Sequence, residues 1–297
     1  MQNTDKLYLQ IESSVLNNEL QAAFEMLSGR AAEIGNVPLK EEVDSQKRIY
    51  RQMLDFTFRN ADDPQRAEIL KKIKIKVLAV NDELRELVIR SDPSSVLGNA
   101  KENFWKFALT NQLSIEHMVQ DLGKLEFEQR SKTFRQLFNL IWFTDNLSEN
   151  EANQLRKLIR SKSVEFFEKS LIVSALTLSL LRYFDLNKFT LLFDAYDTND
   201  QFIWNRAFVG LIIGFYVYNR RLVLYKDPTD RLKVISDDKG IENYLKLVIF
   251  QLIRTRETEK ISEKLRNEII PEMSKFRPQI EDKLDLDSEP NLTSKIA

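Results

Sequence analysis

The stretch AFVGLIIGFYVY, residues 207–218, carries no charge and places Gly210 and Gly214 four residues apart. The same spacing of glycines lets two membrane helices touch. A helix that spans a bilayer needs about 20 apolar residues, however, and Arg206 and Arg220 flank this shorter run. Uncharged runs of this length are typical of helices inside a protein core. The sequence therefore predicts a core helix in which the two glycines let a neighbouring helix approach closely, and no membrane segment.

The composition favours helices throughout the chain. Glycine and proline number only seven each in 297 residues, whereas all-β folds need many turns and usually contain more of both. No segment shows the alternation of apolar and polar residues that is typical of strands. We therefore predict an all-α protein of roughly a dozen helices.

Several helix starts can be predicted from capping residues. Ser148 with Glu151 forms a capping box, and Ser114 begins the helix that contains His117. Three Asp-Pro pairs place a carboxylate at the N-cap before a proline at the first helical position: Asp63-Pro64, Asp92-Pro93 and Asp227-Pro228. Apolar residues spaced by three and four from Leu70 to Leu87 predict a long helix packed inside a bundle.

The apolar pattern changes near residue 160. The pattern of residues 1–160 predicts helical hairpins of uneven length. In residues 161–280, SALTLSLLRYF (174–184) and RAFVGLIIGFY (206–216) are apolar all round, and each is followed by an amphipathic segment and a polar turn. A third apolar segment, YLKLVIFQLI, follows at 244–253. A unit of about 30 to 40 residues indicates a HEAT-like α-solenoid, a right-handed superhelix packed on the first part. Residues 281–297 are acidic and predict a flexible tail or linker.

Charge and residue usage exclude several classes of protein. With 44 basic and 45 acidic residues, the chain has no overall field that would attract nucleic acid or anionic lipid. Cysteine is absent and His117 is the one histidine, so thiolate metal sites, cysteine nucleophiles and zinc sites with two histidines are excluded. The first residues, MQNTDKLYLQIESS, do not resemble a signal peptide. We expect a cytoplasmic protein without a cofactor.

Isolated candidates for chemistry have structural explanations. His117 lacks a nearby nucleophile or substrate group and is interpreted as a histidine in the first turn of a helix. Asp194, Asp197 and Asp200 lack the glycine and the closing glutamate of a calcium loop, so we interpret them as turn and N-cap residues. Aromatic residues recur at helical spacing and are interpreted as core, because no polar groups converge with them: Phe104, Trp105, Phe107, Phe134, Phe138, Trp142 and Phe143.

Two basic runs and a few aromatic residues are the candidates for binding. KKIKIK (71–76) is interpreted as the solvated side of a long helix, with contact to phosphate as the alternative. RTRETEKISEKLR (254–266) is interpreted as a solvated helical face or a surface that binds a partner. Trp204 and Tyr225 lie near the ends of the second apolar helix. They are interpreted as core residues, with a place in that binding surface as the alternative. The candidate partner-binding residues are Trp204, Arg206, Tyr225, Arg254, Arg256 and Lys260.

Several phrases of the sequence resemble one group of proteins. KSLIVSALTLSLLRYFD (169–185), LLFDAYDTND (191–200) and the segment 252–287 resemble the N-terminal region of large tetratricopeptide/HEAT-type helical-repeat proteins of Bacteroides-like bacteria. The opening segment 7–27 and DDPQR (62–66) resemble the same region. This resemblance implies an α-solenoid scaffold, continued by further helices in longer relatives. It implies no reaction and no site residue.

Three functional hypotheses follow. The first is a non-enzymatic scaffold that binds a protein or peptide, since solenoids present extended concave surfaces. The second is a HEAT-like module that binds nucleic acid, which requires the two basic runs to converge with Arg206, Arg220 and Arg221 on one face. The third is a helical enzyme with two buried carboxylates that face one cavity and have raised pKa values.

Overall fold

The structure of the chain is a computed structural model that describes residues 2–59, 64–122, 125–198, 200–238, 240–264 and 266–267. Thirteen α-helices and no β-strand occur in these ranges, which confirms the prediction of an all-α protein. In chain order the helices are α1 (Gln2–Leu16), α2 (Leu20–Ile34), α3 (Val37–Arg59), α4 (Arg66–Ser91), α5 (Val96–Thr110), α6 (Ile115–Asp121), α7 (Phe127–Phe143), α8 (Glu149–Arg160), α9 (Phe166–Arg182), α10 (Leu186–Tyr196), α11 (Gln201–Leu222), α12 (Lys226–Ser236) and α13 (Ile241–Lys264).

The chain divides into two compact units. The first ends at Val234 and the second begins at Ile235. The predicted boundary at residue 160 lies inside the first unit, at the end of α8. The predicted tail, residues 281–297, lies outside the described residues.

Helices α1 to α4 share one apolar core. Helix α1 packs on α2 and α4, and α3 packs on α2 and α4. Side chains such as Ile11, Phe24 and Leu84 are completely buried in this core. The long helix that was predicted around Leu70 to Leu87 is confirmed as α4. Its buried positions follow the predicted spacing because one face of the helix covers the core.

The helices from α6 to α11 pack in two rows. Helix α9 lies between α7 and α11, and helix α8 lies between α6 and α10. Each helix of one row also packs on its neighbour in the other: α6 on α7, α8 on α9, and α10 on both α9 and α11. A helix in this region therefore packs on the helix two places further along the chain.

Contacts at both ends of α9 and α11 show that these two helices are parallel. At their N-terminal ends, the rings of Phe166 and Phe202 lie 5.4 Å apart. At their C-terminal ends, the Tyr218 hydroxyl donates to the carbonyl oxygen of Leu180 at 2.6 Å. Residues at the same position in each helix therefore lie side by side.

The close approach predicted for Gly210 and Gly214 is confirmed. A Cβ atom at Gly210 would overlap Thr177 Oγ1 in α9, and one at Gly214 would lie 2.7 Å from Phe189 Cζ in α10. The stretch 207–218 is not buried all round, however. Tyr216 is 80% exposed, because α11 packs on α9 and α10 through its other face.

The capping predictions have mixed outcomes. The capping box of Ser148 and Glu151 is confirmed, and so is the start of α6 at Ser114. The prediction for Asp92 is wrong: Asp92 ends α4, and the Ser95 hydroxyl caps α5 by accepting from Gly98 N at 3.0 Å. Asp227 is not an N-cap either, because α12 already begins at Lys226. Asp63 lies outside the described residues.

The second unit contains the predicted third apolar segment, in α13. Its side chains are exposed: Leu247 by 59%, Phe250 by 57% and Ile253 by 58%. Among the residues that the structure describes, none of the helices combines the length and the apolar character needed to cross a membrane.

Candidate functional site

Two of the predicted partner-binding residues lie near the start of α11. Trp204 is half-buried and its ring stacks on Phe208, with centroids 5.3 Å apart. Arg206 is exposed, and its Nη1 lies 3.4 Å from Ser174 Oγ in α9. Trp204 therefore serves mainly in packing, whereas Arg206 lies on the surface.

Tyr225 lies beyond the opposite end of α11. Its ring packs 5.1 Å from that of Phe184, and burial raises the pKa of the Tyr225 hydroxyl. Helix α11 has 22 residues with a kink at Tyr218, and at 1.5 Å per residue it extends over at most about 33 Å. The structure consequently does not bring Trp204 and Tyr225 together on one surface.

The other three predicted residues belong to α13, in the second unit. Arg254, Arg256 and Lys260 are all exposed. Lys260 pairs with Glu257 one turn before it, with Nζ 3.2 Å from Oε1. Their role in binding a partner stays a prediction.

Arg206, Arg220 and Arg221 do not converge on one face of the first unit. Arg221 is buried, and its Nη1 pairs with Asp82 Oδ2 at 2.6 Å. Arg220 donates to Asn17 Oδ1 at 2.5 Å. Arg206 lies near the other end of α11. The groove that the nucleic-acid hypothesis requires is therefore not formed by these arginines.

A row of exposed phenylalanines follows the N-terminal ends of α7, α9 and α11. Phe127 is the first residue of α7 and is 75% exposed. Phe166 is the first residue of α9 and is 51% exposed. Phe202 is the second residue of α11 and is 66% exposed. We call these three residues the aromatic row.

An ion pair aligns the first turns of α7 and α9. Arg130 Nε donates to Glu168 Oε1 at 2.5 Å and Nη2 donates to Oε2 at 2.7 Å. The Glu168 carboxylate is almost buried and also accepts from the backbone nitrogen of Glu165. A bidentate pair fixes both distance and orientation. Phe127 and Phe166 are therefore held on the same edge of the first unit.

A largely buried cluster of four charged groups joins α4, α5, α9 and the loop that follows α7. Lys101 Nζ lies 2.8 Å from Glu86 Oε2 and 2.6 Å from Asp145 Oδ1. Arg182 Nη1 contacts the same two carboxylates at 2.7 and 2.5 Å. Burial acts to raise the pKa of Asp145, but Arg182 and Lys101 hold that pKa below its ordinary value. Two cations and two anions thus compensate one another.

The loop between α7 and α8 is held by a second buried cation. Lys188 is completely buried, and its Nζ donates to the carbonyl oxygens of Thr144 and Asp145 at 2.6 and 2.8 Å and to Ser179 Oγ at 2.9 Å. Burial lowers the pKa of Lys188 to about 8. All three protons of the ammonium group have an acceptor, which explains how the charge is tolerated there.

Asp194 joins the row of α8 and α10 to α12. Its buried carboxylate lies 2.6 Å from Arg156 Nε, 3.0 Å from Arg160 Nη2 and 3.5 Å from Arg231 Nη2. It was interpreted as a turn or N-cap residue, and this interpretation is wrong because Asp194 lies inside α10, where its carboxylate contacts arginines of two other helices. Asp200 does cap α11, accepting from Phe202 N at 3.0 Å.

The remaining candidates for chemistry are accounted for by local contacts. His117 is exposed in the first turn of α6, and its backbone nitrogen donates to Ser114 Oγ. Burial raises the pKa of Asp185, which accepts from the backbone nitrogens of Leu147 and Asn187. Within the described ranges, no three His, Cys, Asp or Glu side chains are grouped to hold a metal ion.

Sequence reasoning missed the buried charges, although the sequence carried a signal for them. Arg182 and Asp194 each interrupt an otherwise apolar segment, whereas Lys188 follows the polar residues Asp185 and Asn187. Most charged residues in such a position lie on the solvated face of a helix, so the position alone does not identify the exceptions.

Comparison with known proteins yields no match among family models, curated proteins or solved structures.

Proposed function

We propose that this chain is a non-enzymatic helical-repeat scaffold that binds another protein in the cytoplasm. The observation that carries this proposal is the aromatic row, Phe127, Phe166 and Phe202, exposed in the first turns of three neighbouring helices.

The packing of alternating helices supports a solenoid. Helices α7, α9 and α11 begin at Phe127, Phe166 and Gln201, which makes the first repeat 39 residues long and the second 35. Repeats of this length, each contacting its neighbours, are typical of HEAT and tetratricopeptide arrays. We propose that these repeats wind into a right-handed superhelix and that the chain is related to the tetratricopeptide/HEAT-type proteins that its sequence resembles.

The aromatic row is suited to bind an apolar surface. A phenylalanine contributes about 150–250 Å² of surface when it is buried, so three such side chains on one edge form a patch of a few hundred Å². The largest contiguous apolar patch on a typical monomer covers about 300–600 Å² and is often functional, and phenylalanine is enriched in interface cores.

The spacing of the row indicates an amphipathic helix as the partner. The rings of Phe166 and Phe202 lie 5.4 Å apart, which is about the distance between residues three or four apart on one face of a helix. A partner helix with apolar residues at that spacing would therefore place side chains against the row.

The test is affinity purification of the tagged protein from its native cells, with and without nuclease, read by mass spectrometry. A triple variant, Phe127→Ser with Phe166→Ser and Phe202→Ser, is compared with a control that changes exposed apolar residues elsewhere, Leu9→Ser with Leu109→Ser and Val223→Ser. Circular dichroism verifies that both variants stay folded.

We expect one protein to be enriched by the wild type and the control, with or without nuclease, and lost with the triple variant. Equal enrichment by both variants would refute the aromatic row as the binding surface. Enrichment that nuclease abolishes would instead support the nucleic-acid hypothesis.

A further inference from the structure

The exposed side of α9 carries an apolar stripe. Phe167, Leu178 and Leu181 are 41%, 41% and 43% exposed. Because they are separated by about three turns and one turn, they lie on one face of the helix, together with Ser174. From Phe167 to Leu181 the stripe is about 21 Å long at 1.5 Å per residue. It begins beside the aromatic row, since Phe166 directly precedes Phe167.

Two exposed arginines, Arg135 and Arg206, flank this stripe. On the α11 side, Arg206 Nη1 lies 3.4 Å from Ser174 Oγ, near the middle of the stripe. On the α7 side, Arg135 lies about two turns before Trp142 on the same face, and Trp142 lines one pocket together with Leu178. Helix α9 lies between α7 and α11, so the two arginines border the stripe from opposite sides.

The three helices carry a surplus of positive charge. They contain only two acidic residues, Glu128 and Glu168, but eight basic ones: Arg130, Lys132, Arg135, Lys169, Arg182, Arg206, Arg220 and Arg221. Arg130, Arg182 and Arg221 are compensated by ion pairs, and Arg220 donates to Asn17. Within the described ranges, the other four form no ion pair. Arg135 and Arg206 each lie 3.4 Å from a serine hydroxyl instead.

The acidic groups at the start of the stripe do not neutralise this charge. Glu168 is paired with Arg130, and Glu165 and Asp200 cap α9 and α11. Glu128 lies in the first turn of α7, where the helix dipole favours a negative charge. The acidic side chains therefore lie at the helix starts, whereas the basic ones lie further along the helices.

The far end of the stripe is balanced in charge. There Leu178 and Leu181 line a pocket with Arg85, Asp92 and Arg182. Arg182 is compensated by its own buried carboxylates, and Arg85 and Asp92 contribute one charge of each sign. The surplus of positive charge therefore lies beside the first half of the stripe.

We propose that this surface binds an acidic amphipathic helix, whose apolar side chains cover the stripe and whose carboxylates lie beside Arg135 and Arg206. Helices bind apolar grooves and faces in this way, and pairs of arginine with carboxylate fix orientation. A second copy of this face would place arginines against arginines, and a nucleic acid backbone has no apolar side chains for the stripe. The inference rests on the proposed function, because one end of the helix would lie over the aromatic row.

Three fluorescent peptides of about 20 residues, long enough as helices to cover the stripe, test the chemistry. All carry leucine at spacings of three and four, and their remaining positions combine alanine with glutamate, glutamine or lysine. Fluorescence anisotropy measures their binding to the full chain. We expect the glutamate peptide to bind several-fold more tightly than the glutamine peptide and the lysine peptide to bind least, with the difference reduced by salt. Equal affinity of the three would overturn the acidic partner.

Two charge-reversal variants test the location. Arg135→Glu with Arg206→Glu is expected to bind the lysine peptide more tightly than the glutamate peptide. The control, Arg48→Glu with Arg90→Glu, changes exposed arginines of α3 and α4 and is expected to keep the wild-type order. Circular dichroism verifies the fold of each variant. An unchanged order in the first variant, or the same reversal in both, would overturn the site.

The triple variant of the aromatic row separates this inference from the proposed function. Loss of the glutamate and glutamine peptides to an equal extent, with equal wild-type affinities, would retain the row and overturn the acidic partner. Full binding of the glutamate peptide by the triple variant would refute the row, while the charge-reversal variants still decide the acidic helix. Binding of none of the peptides to the wild type would overturn a helix as the partner.

Discussion

Arg221 and Asp82 form an ion pair across 139 residues of sequence, with Nη1 2.6 Å from Oδ2. The Arg221 side chain is 3% exposed, and its guanidinium also lies 4.1 Å from the centre of the Phe184 ring. The pair joins α11 to α4 and so connects the last helices of the first unit to its first core. An ion pair at this position is costly to break, because either partner alone would be a buried charge.

The first prediction concerns the pH dependence of this pair. Burial raises the pKa of Asp82 to about 6, although Arg221 acts in the opposite direction. Since the unfolded value is 3.8, the folded protein binds this proton more tightly, and Asp82 favours folding most below pH 4 and least above pH 6. We expect Arg221→Met to destabilise the protein strongly at pH 7 and less at pH 5, where Asp82 is protonated. Urea denaturation at the two pH values measures this, and an equal loss at both would contradict it.

The second prediction concerns Lys188. Its pKa is about 8 in the folded protein, whereas a lysine in the unfolded chain has the ordinary value of 10.5. Between these values the unfolded chain holds the proton and the folded protein does not, so the contribution of Lys188 to stability rises with pH across the window from 8 to 10.5. We expect Lys188→Met to destabilise the protein by about 1–3 kcal/mol near pH 8, because buried acceptors lose their donor.

Denaturation of the wild type and of Lys188→Met at several pH values from 8 to 10.5 measures the difference in unfolding free energy. We expect this difference to increase with pH. The control is Lys106→Met, because Lys106 is 70% exposed and its removal is expected to change stability by less than about 0.5 kcal/mol at any of these pH values. A pH-independent difference for Lys188→Met would show that the lysine stays protonated when buried.

The third prediction concerns the helix contact at Gly214. A Cβ atom there would lie 2.7 Å from Cζ of Phe189, and Phe189 is completely buried and cannot move away. We expect Gly214→Ala to lower the unfolding free energy by about 1–3 kcal/mol. Gly29, inside α2, has no atom within 4 Å of its Cβ position, so Gly29→Ala is expected to raise stability by about 0.5–1 kcal/mol. Thermal denaturation of both variants decides this: effects of the same sign would refute the packing argument.

The fourth prediction concerns Asp194, whose buried carboxylate contacts arginines of α8 and α12. Asp194→Asn removes the charge that the arginines share, and we expect a loss of about 1–3 kcal/mol, moderated because the arginines are partly exposed. The matched control is Asp230→Asn, whose pair with Lys233 is exposed and contributes about 0–1 kcal/mol. Chemical denaturation of the two variants provides the comparison. Similar losses would indicate that Asp194 makes no special contribution.

The sequence predicted those features that depend on residues close together in the chain. Ser148 and Glu151 identified a helix start because a capping box is formed by residues three apart. Gly210 and Gly214 identified a close helix contact because only a missing side chain permits it. The prediction of Asp92 as an N-cap was wrong because Ser95, three residues later, caps α5 instead.

The candidate sites could not be predicted in the same way, because their parts are distant in sequence. Lys188 contacts the carbonyl oxygen of Thr144 across 44 residues, and Arg130 pairs with Glu168 across 38. Only the packing of alternate helices brings these residues together. The aromatic row likewise combines residues of three helices, each of which looks ordinary within its own segment.

The ion pair between Arg221 and Asp82 has a consequence for the order of folding. Contacts between neighbouring helices of the two rows close loops of about 40 residues, and the entropic cost of closing a loop rises with the logarithm of its length. The pair of Arg221 with Asp82 closes a loop of 139 residues and the bond of Arg220 to Asn17 one of 203. The rows can therefore assemble from nearby segments, and we expect the contact between α11 and α4 to form after them.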